Sequence, residues 1–106
     1  YLARERAAEF RSEFLRGETF VMPGNSYEHT RIVGNLVAAL GNAFRDGRCH
    51  PLSLSMRVKV SATGLYTYPD VIVQCDPPRL EDSRRDTLLN PTAIIEVLSD
   101  LTEQYD

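Results

Sequence analysis

The sequence predicts an α/β fold: one amphipathic helix, then a three-stranded sheet, with a β-hairpin added at the front. Three observations predict it. Residues 26–45 carry apolar side chains at helical spacing. Near Gly47 the period switches to two, and residues 52–60 alternate apolar and polar. Two short apolar runs, residues 69–75 and 93–98, are bounded by turn residues as buried strands are.

The elements follow in order. Residues 1–9 are rich in Ala, Arg and Glu and suit a short helix. Residues Ser12-Glu13-Phe14-Leu15 and Glu18-Thr19-Phe20-Val21-Met22 flank Arg16-Gly17, the pattern of two strands around a tight glycine turn. Pro23-Gly24 ends that hairpin. Asn25 reads as the N-cap of the long helix, with Glu28 three residues on in capping-box position. Ile32, Val33, Leu36, Val37, Leu40, Ala43 and Phe44 form its apolar face, and Gly47 stops it. Gly34, Ala38 and Gly41 form a second, small-residue stripe, read as close packing on the sheet or as a subunit contact. Leu52, Leu54, Met56, Val58 and Val60 alternate with Ser53, Ser55, Arg57, Lys59 and Ser61, one strand with one face buried. Ala62-Thr63-Gly64 turns the chain into the strand of residues 69–75. Residues 76–91, with three prolines, read as a polar loop. The strand of residues 93–98 follows, and Thr102-Glu103-Gln104 reads as the start of another helix.

Composition narrows the class. At 106 residues, 42% hydrophobic and 25% charged, the chain reads as one globular domain and not as a disordered segment. Net charge is −3, which does not favour a nucleic-acid binder by itself. The charge is uneven. Residues 1–50 hold seven Lys/Arg and six Asp/Glu, whereas residues 51–106 hold five and nine. Cys49 and Cys75 lack a CxxC spacing and read as free thiols of a reducing, cytoplasmic compartment. No apolar run reaches the roughly 18 residues of a membrane span, and no signal peptide is visible. Because the chain starts at Tyr1 and not Met, trimming at the front is expected.

Two residues break the apolar pattern of their strands. Asp70 opens Tyr68-Pro69-Asp70-Val71-Ile72-Val73, and Glu96 sits in Ala93-Ile94-Ile95-Glu96-Val97-Leu98. A carboxylate in such a run costs several kcal/mol if unpaired, so it normally has a partner or a metal. Two acids aimed at one point from neighbouring strands would make an oxygen site for a divalent cation. The simpler readings are a turn residue for Asp70 and, for Glu96, a solvent-facing strand end or a salt bridge to Arg57 or Lys59. His29 falls on the apolar face of the long helix and reads first as a core histidine, second as an accessory site residue. Glu28 reads as a cap. Arg84-Arg85 could meet phosphates, but the acidic residues around them favour solvation.

Four strings, Arg11-Ser12-Glu13-Phe14-Leu15-Arg16-Gly17-Glu18, Ser26-Tyr27-Glu28-His29, Tyr68-Pro69-Asp70-Val71 and Ile95-Glu96-Val97-Leu98-Ser99, together resemble the Uma-two family of the PD-(D/E)xK nuclease superfamily. The resemblance covers nearly the whole chain. It implies a restriction-endonuclease-like core over residues 1–106 as a single domain, incomplete because the following helix and strand are missing. It also implies Mg²⁺-dependent (or Mn²⁺-dependent) endonuclease cleavage of nucleic acid, DNA before RNA. Pro69-Asp70 matches the first half of the superfamily motif, and Glu96 matches the acid of the second. Asp70 and Glu96 are then the metal and catalytic residues, with Glu13 and His29 as accessory candidates; Glu13 in its hairpin is equally suited to face solvent. The motif also places a Lys two residues after the acid, and here that position is Leu98. The resemblance moves this Lys into the next helix, beyond Asp106. A catalytically inactive nuclease-fold module binding nucleic acid or a protein partner is the alternative, and a structural domain with buried salt bridges is a third reading. The missing helix should leave Ile94 and Ile95 uncovered, so a homodimer or further chain is expected to fill that face.

Overall fold

The computed structural model describes residues 1–53 and 56–98. Ten elements run in order: α1 (Leu2–Ala7), β1 (Ser12–Leu15), β2 (Glu18–Val21), α2 (Tyr27–Ala43), β3 (His50–Ser53), β4 (Arg57–Val60), β5 (Leu65–Thr67), β6 (Val71–Gln74), β7 (Thr87–Leu88) and β8 (Ala93–Ile95). They build two sheets. One has five strands in the order β2-β1-β5-β4-β7, the other three in the order β3-β6-β8. The α/β class and the front hairpin stand as expected. Arg16 and Gly17 both take positive φ at the hairpin turn, the left-handed backbone such a turn needs.

Helix α2 lies on β3 and β6 of the smaller sheet. Its cap is Ser26 and not Asn25: Ser26 stands in extended backbone, and its Oγ accepts from the His29 N–H at 3.1 Å. Both residues are good caps; the geometry of the entering chain chose the second. The small-residue stripe does not face the sheet, since a Cβ added at Gly34 or Gly41 meets nothing within 4 Å.

The alternating run 52–60 is not one strand. Its first half is β3, paired with β6, and its second half is β4, paired with β5 and β7 in the other sheet. A period of two in the sequence does not say which sheet a strand joins, and the two described segments of this run take different partners. Arg57, placed on the polar face by its spacing, is buried. Its guanidinium donates to the Tyr68 hydroxyl and the Thr87 hydroxyl, lies 3.4 Å from Asp86, and covers the Tyr68 ring. A charge is tolerable there because each of its faces meets a partner.

Residues 76–91 are more than a polar loop. Thr87–Leu88 adds a parallel strand beside β4, and Leu80 bridges to Leu88. Leu88 joins Val58 and Ile72 in the core between the sheets, packed by Leu52, Met56, Val60 and Leu80. Two further departures concern strand limits. Leu65–Thr67 is a strand of its own, and β8 ends at Ile95, so Glu96 stands just past its end. The helix expected at residues 102–104 lies outside the described residues.

Cys49 and Cys75 are not free thiols: they form a disulfide. The β3–β6 register explains it. His50 pairs with Gln74, so one step further along the same ladder places Cys49 across from Cys75. Spacing in the sequence carries no trace of this, because 26 residues separate the two cysteines. Among the described residues no helix is long and apolar enough to cross a membrane.

Candidate active site

The other end of β6 carries the acids. Val71 pairs with Ile95 across the β6–β8 ladder, so one step beyond it Asp70 stands opposite Glu96. Directly opposed positions in an antiparallel pair share a face, with Cβ atoms about 5 Å apart. The backbone confirms the contact, since the Val97 N–H donates to Asp70 Oδ2 at 2.7 Å. One strand thus ends in a disulfide at Cys75 and begins at a carboxylate pair at Asp70.

Asp70 has a second partner. His29, in the first turn of α2, places its Nε2 3.1 Å from the same oxygen, Oδ2. Both side chains are largely buried, His29 at 8% exposure and Asp70 at 14%. The other ring nitrogen, Nδ1, is buried and meets no hydrogen-bond partner among the described residues.

Glu13 enters from the larger sheet. The β1–β5 ladder pairs Phe14 with Tyr66, which sets Glu13 beside Thr67, and the Thr67 hydroxyl donates to the Glu13 carboxylate. Glu13, Thr67, Asp70, Glu96, His29 and Ser26 all line one cavity of about 770 Å³. Met22, Pro23, Ile32, Val97 and Leu98 give it an apolar rim. All four residues singled out from the sequence therefore meet here, including Glu13, for which solvent was an equal expectation.

The electrostatics follow from this convergence. Glu96 is exposed at the mouth of the cavity, and the part of it turned inward loses enough water to disfavour its charge. The neighbouring Asp70 and the more distant Glu13 add like charge. Its carboxyl is pushed up to about 7 from an ordinary value of 4.5. The salt-bridge alternative does not hold: Arg57 faces Asp86, and Lys59 lies 3.3 Å from Glu81. Lys59 is the only lysine of the sequence, and it sits on the larger sheet. Among the described residues no Lys or Arg lines the cavity.

The donor set fits a hard cation with limits. Among the described residues no three of His, Cys, Asp and Glu are grouped so as to close around one ion. Mg²⁺ does not need such a cage; it commonly takes one or two carboxylates and fills its remaining positions with water and phosphate oxygens. Four carboxyls line this cavity, those of Glu13, Glu28, Asp70 and Glu96, and the opposed pair Asp70 and Glu96 suits that pattern.

A mixed α/β domain with an acid pair at adjacent strand ends defines a restriction-endonuclease-like fold. The chain matches the Uma2 family, described as "Putative restriction endonuclease", over residues 1–106, and it belongs to that family. Two uncharacterized proteins of Synechocystis sp., sll1609 and slr1290, are 34% and 32% identical to it over all 106 residues. The chain spans 60% and 55% of their lengths. Its fold is shared with a crystal structure from Anabaena variabilis titled a putative nuclease belonging to DUF820. The TM-score is 0.67 at 21% identity, covering 87% of this chain and 52% of that one.

Proposed function

We propose that the protein is a metal-dependent endonuclease that hydrolyses phosphodiester bonds in nucleic acid, DNA in the first instance, with Mg²⁺ or Mn²⁺ held by Asp70 and Glu96. The observation that carries this reading is the register of β6 and β8, which sets the two carboxyls opposite one another at the wall of one cavity. When bound, the cation supplies Lewis-acid chemistry: charge neutralisation at the phosphoryl oxygens and activation of the attacking water.

The residues of this chain do the holding. Asp70 is fixed by two donors, and Glu96 is tied to it through the peptide N–H of its neighbour Val97. Asp70 is the more buried member of the pair at 14% exposure, so its charge interactions are screened less than those of the exposed Glu96. In the hydrolysis itself water adds to phosphorus, the bond to the leaving sugar oxygen breaks, and that oxygen takes up a proton.

A second reading has its own observation. Leu98 lines the cavity at the place where the superfamily motif has a lysine, and Lys59 is engaged elsewhere. A module that keeps the fold and binds nucleic acid or a protein without cutting would need no such lysine. A homodimer remains part of the proposal, since Ile94 and Leu98 are 39% and 57% exposed beside the cavity.

The test is a nuclease assay on the full-length protein with supercoiled and linear DNA, with Mg²⁺, with Mn²⁺ and with EDTA. Cleavage that needs the cation and disappears in Asp70→Asn and Glu96→Gln supports the enzyme. Folded, DNA-binding protein without cleavage under any of these conditions supports the module.

A further inference from the structure

We propose that His29 is a positioning residue that assigns the two oxygens of Asp70 to different tasks: Oδ2 to the protein, Oδ1 to the cation. The inference rests on the metal-site reading given above and adds a role for the helix that packs over it.

The geometry is a relay from a helix cap to a carboxylate. Ser26 Oγ accepts from the His29 backbone N–H at 3.1 Å, which fixes where the first turn of α2 begins. From that turn the imidazole Nε2 reaches Asp70 Oδ2 at 3.1 Å, across 41 residues of sequence. Val97 N–H meets the same oxygen from the opposite element at 2.7 Å. Both contacts fall on Oδ2, and neither involves Oδ1. A carboxylate clamped through one oxygen offers the other in a defined direction, as second-layer donors do for metal-bound carboxylates.

The ring's own proton is placed by the same geometry. Nδ1 is buried and meets no partner among the described residues. An ionised Asp70 can only accept, so the ring nitrogen facing it is the one that carries the proton. The proton therefore sits on Nε2 and is donated to Asp70. His29 touches neither the cation nor the substrate in this account; it acts through Asp70.

The experiment uses the full-length protein and Mn²⁺ as the probe, with binding followed by isothermal titration or by the loss of free Mn²⁺ signal in electron paramagnetic resonance. His29→Leu keeps the bulk and removes the donor, and Mn²⁺ affinity should fall by about ten- to a hundredfold. His29→Gln puts an N–H donor near the position of Nε2 and should restore most of that loss. In the cleavage assay the loss in His29→Leu should show as a higher Mn²⁺ requirement. Long-range ¹H–¹⁵N spectra of the metal-free wild type should show the His29 proton on Nε2. A folded His29→Leu that binds Mn²⁺ as wild type does would overturn the proposal. So would a folded His29→Gln as weak as the leucine variant, or a ring proton found on Nδ1. If His29→Leu fails to fold, the glutamine variant and the spectra decide. Asp70→Asn separates the two levels. If it also binds Mn²⁺ normally, the metal reading itself fails; if it loses Mn²⁺ while His29→Leu does not, only the role of His29 falls.

Discussion

The Val97 N–H donates to Asp70 Oδ2 at 2.7 Å, so the residue after one acid holds the other. Glu96 is not free to drift from Asp70, because the N–H of the next residue, Val97, is bonded to it. This makes the two acids unequal. Asp70 is anchored and largely buried, whereas Glu96 is the exposed partner, its carboxyl pushed up to about 7.

That inequality predicts different costs for the two neutral replacements. Asp70→Asn loses charge-assisted bonds from His29 and Val97 and should cost about 1–3 kcal/mol of stability. Glu96→Gln removes a like charge and should leave stability unchanged or raised. Both should abolish cleavage. Thermal melts beside the nuclease assay check this; equal destabilisation by the two variants would contradict it.

The pH dependence of stability has a definite sign. A carboxyl raised to about 7 in the fold binds its proton more tightly there than in the unfolded chain. Between about 4.5 and 7 the folded state holds more protons, so stability falls as pH rises through that window. Below it the benefit is fully present. Melts from pH 4.5 to 8 should show this decline in the metal-free protein, and Glu96→Gln should flatten it.

For Asp86 the sign reverses. Arg6 donates to both oxygens of Asp86 at 2.7 Å and holds that carboxyl down to about 2. This stabilisation is present above the ordinary value of 3.8 and is lost as pH falls towards 2. Arg6→Gln should release α1 from the segment before β7, seen as faster amide exchange in residues 2–7.

Leu88 tests the reading of residues 76–91 as core. It is 2% exposed and packs with Val58 and Ile72. Leu88→Ala should cost about 2–5 kcal/mol, measured by urea unfolding. A surface loop residue would cost almost nothing.

The disulfide closes a chain separation of 26 residues, and its loss in Cys49→Ala/Cys75→Ala should cost about 2–4 kcal/mol. Urea unfolding with and without reductant gives the same comparison in wild type. Quantitative thiol labelling of the denatured, unreduced protein should find none.

The sequence alone determined what local chemistry determines. The hairpin follows from Arg16-Gly17 between two apolar runs, α2 from its 3.6-residue period, and β6 from Val71-Ile72-Val73 after a proline. The choice of Asp70 and Glu96 was legible because a charge inside an apolar run is costly enough to need a reason. The accessory pair, Glu13 and His29, was marked by resemblance and by a place on a helix face, not by any local rule that brings them to the acids.

Tertiary structure decided the rest, for one physical reason: strand partners are chosen across long stretches of chain. A period of two tells which face a residue takes, and it is silent about which sheet the strand joins, so the run 52–60 divides between β3 and β4 unannounced. The same ladders join Cys49 to Cys75, bury Arg57 among Tyr68, Thr87 and Asp86, and turn Leu88 inward. Asp70 and Glu96 are costly residues in the sequence, and the register of β6 against β8 makes them a pair.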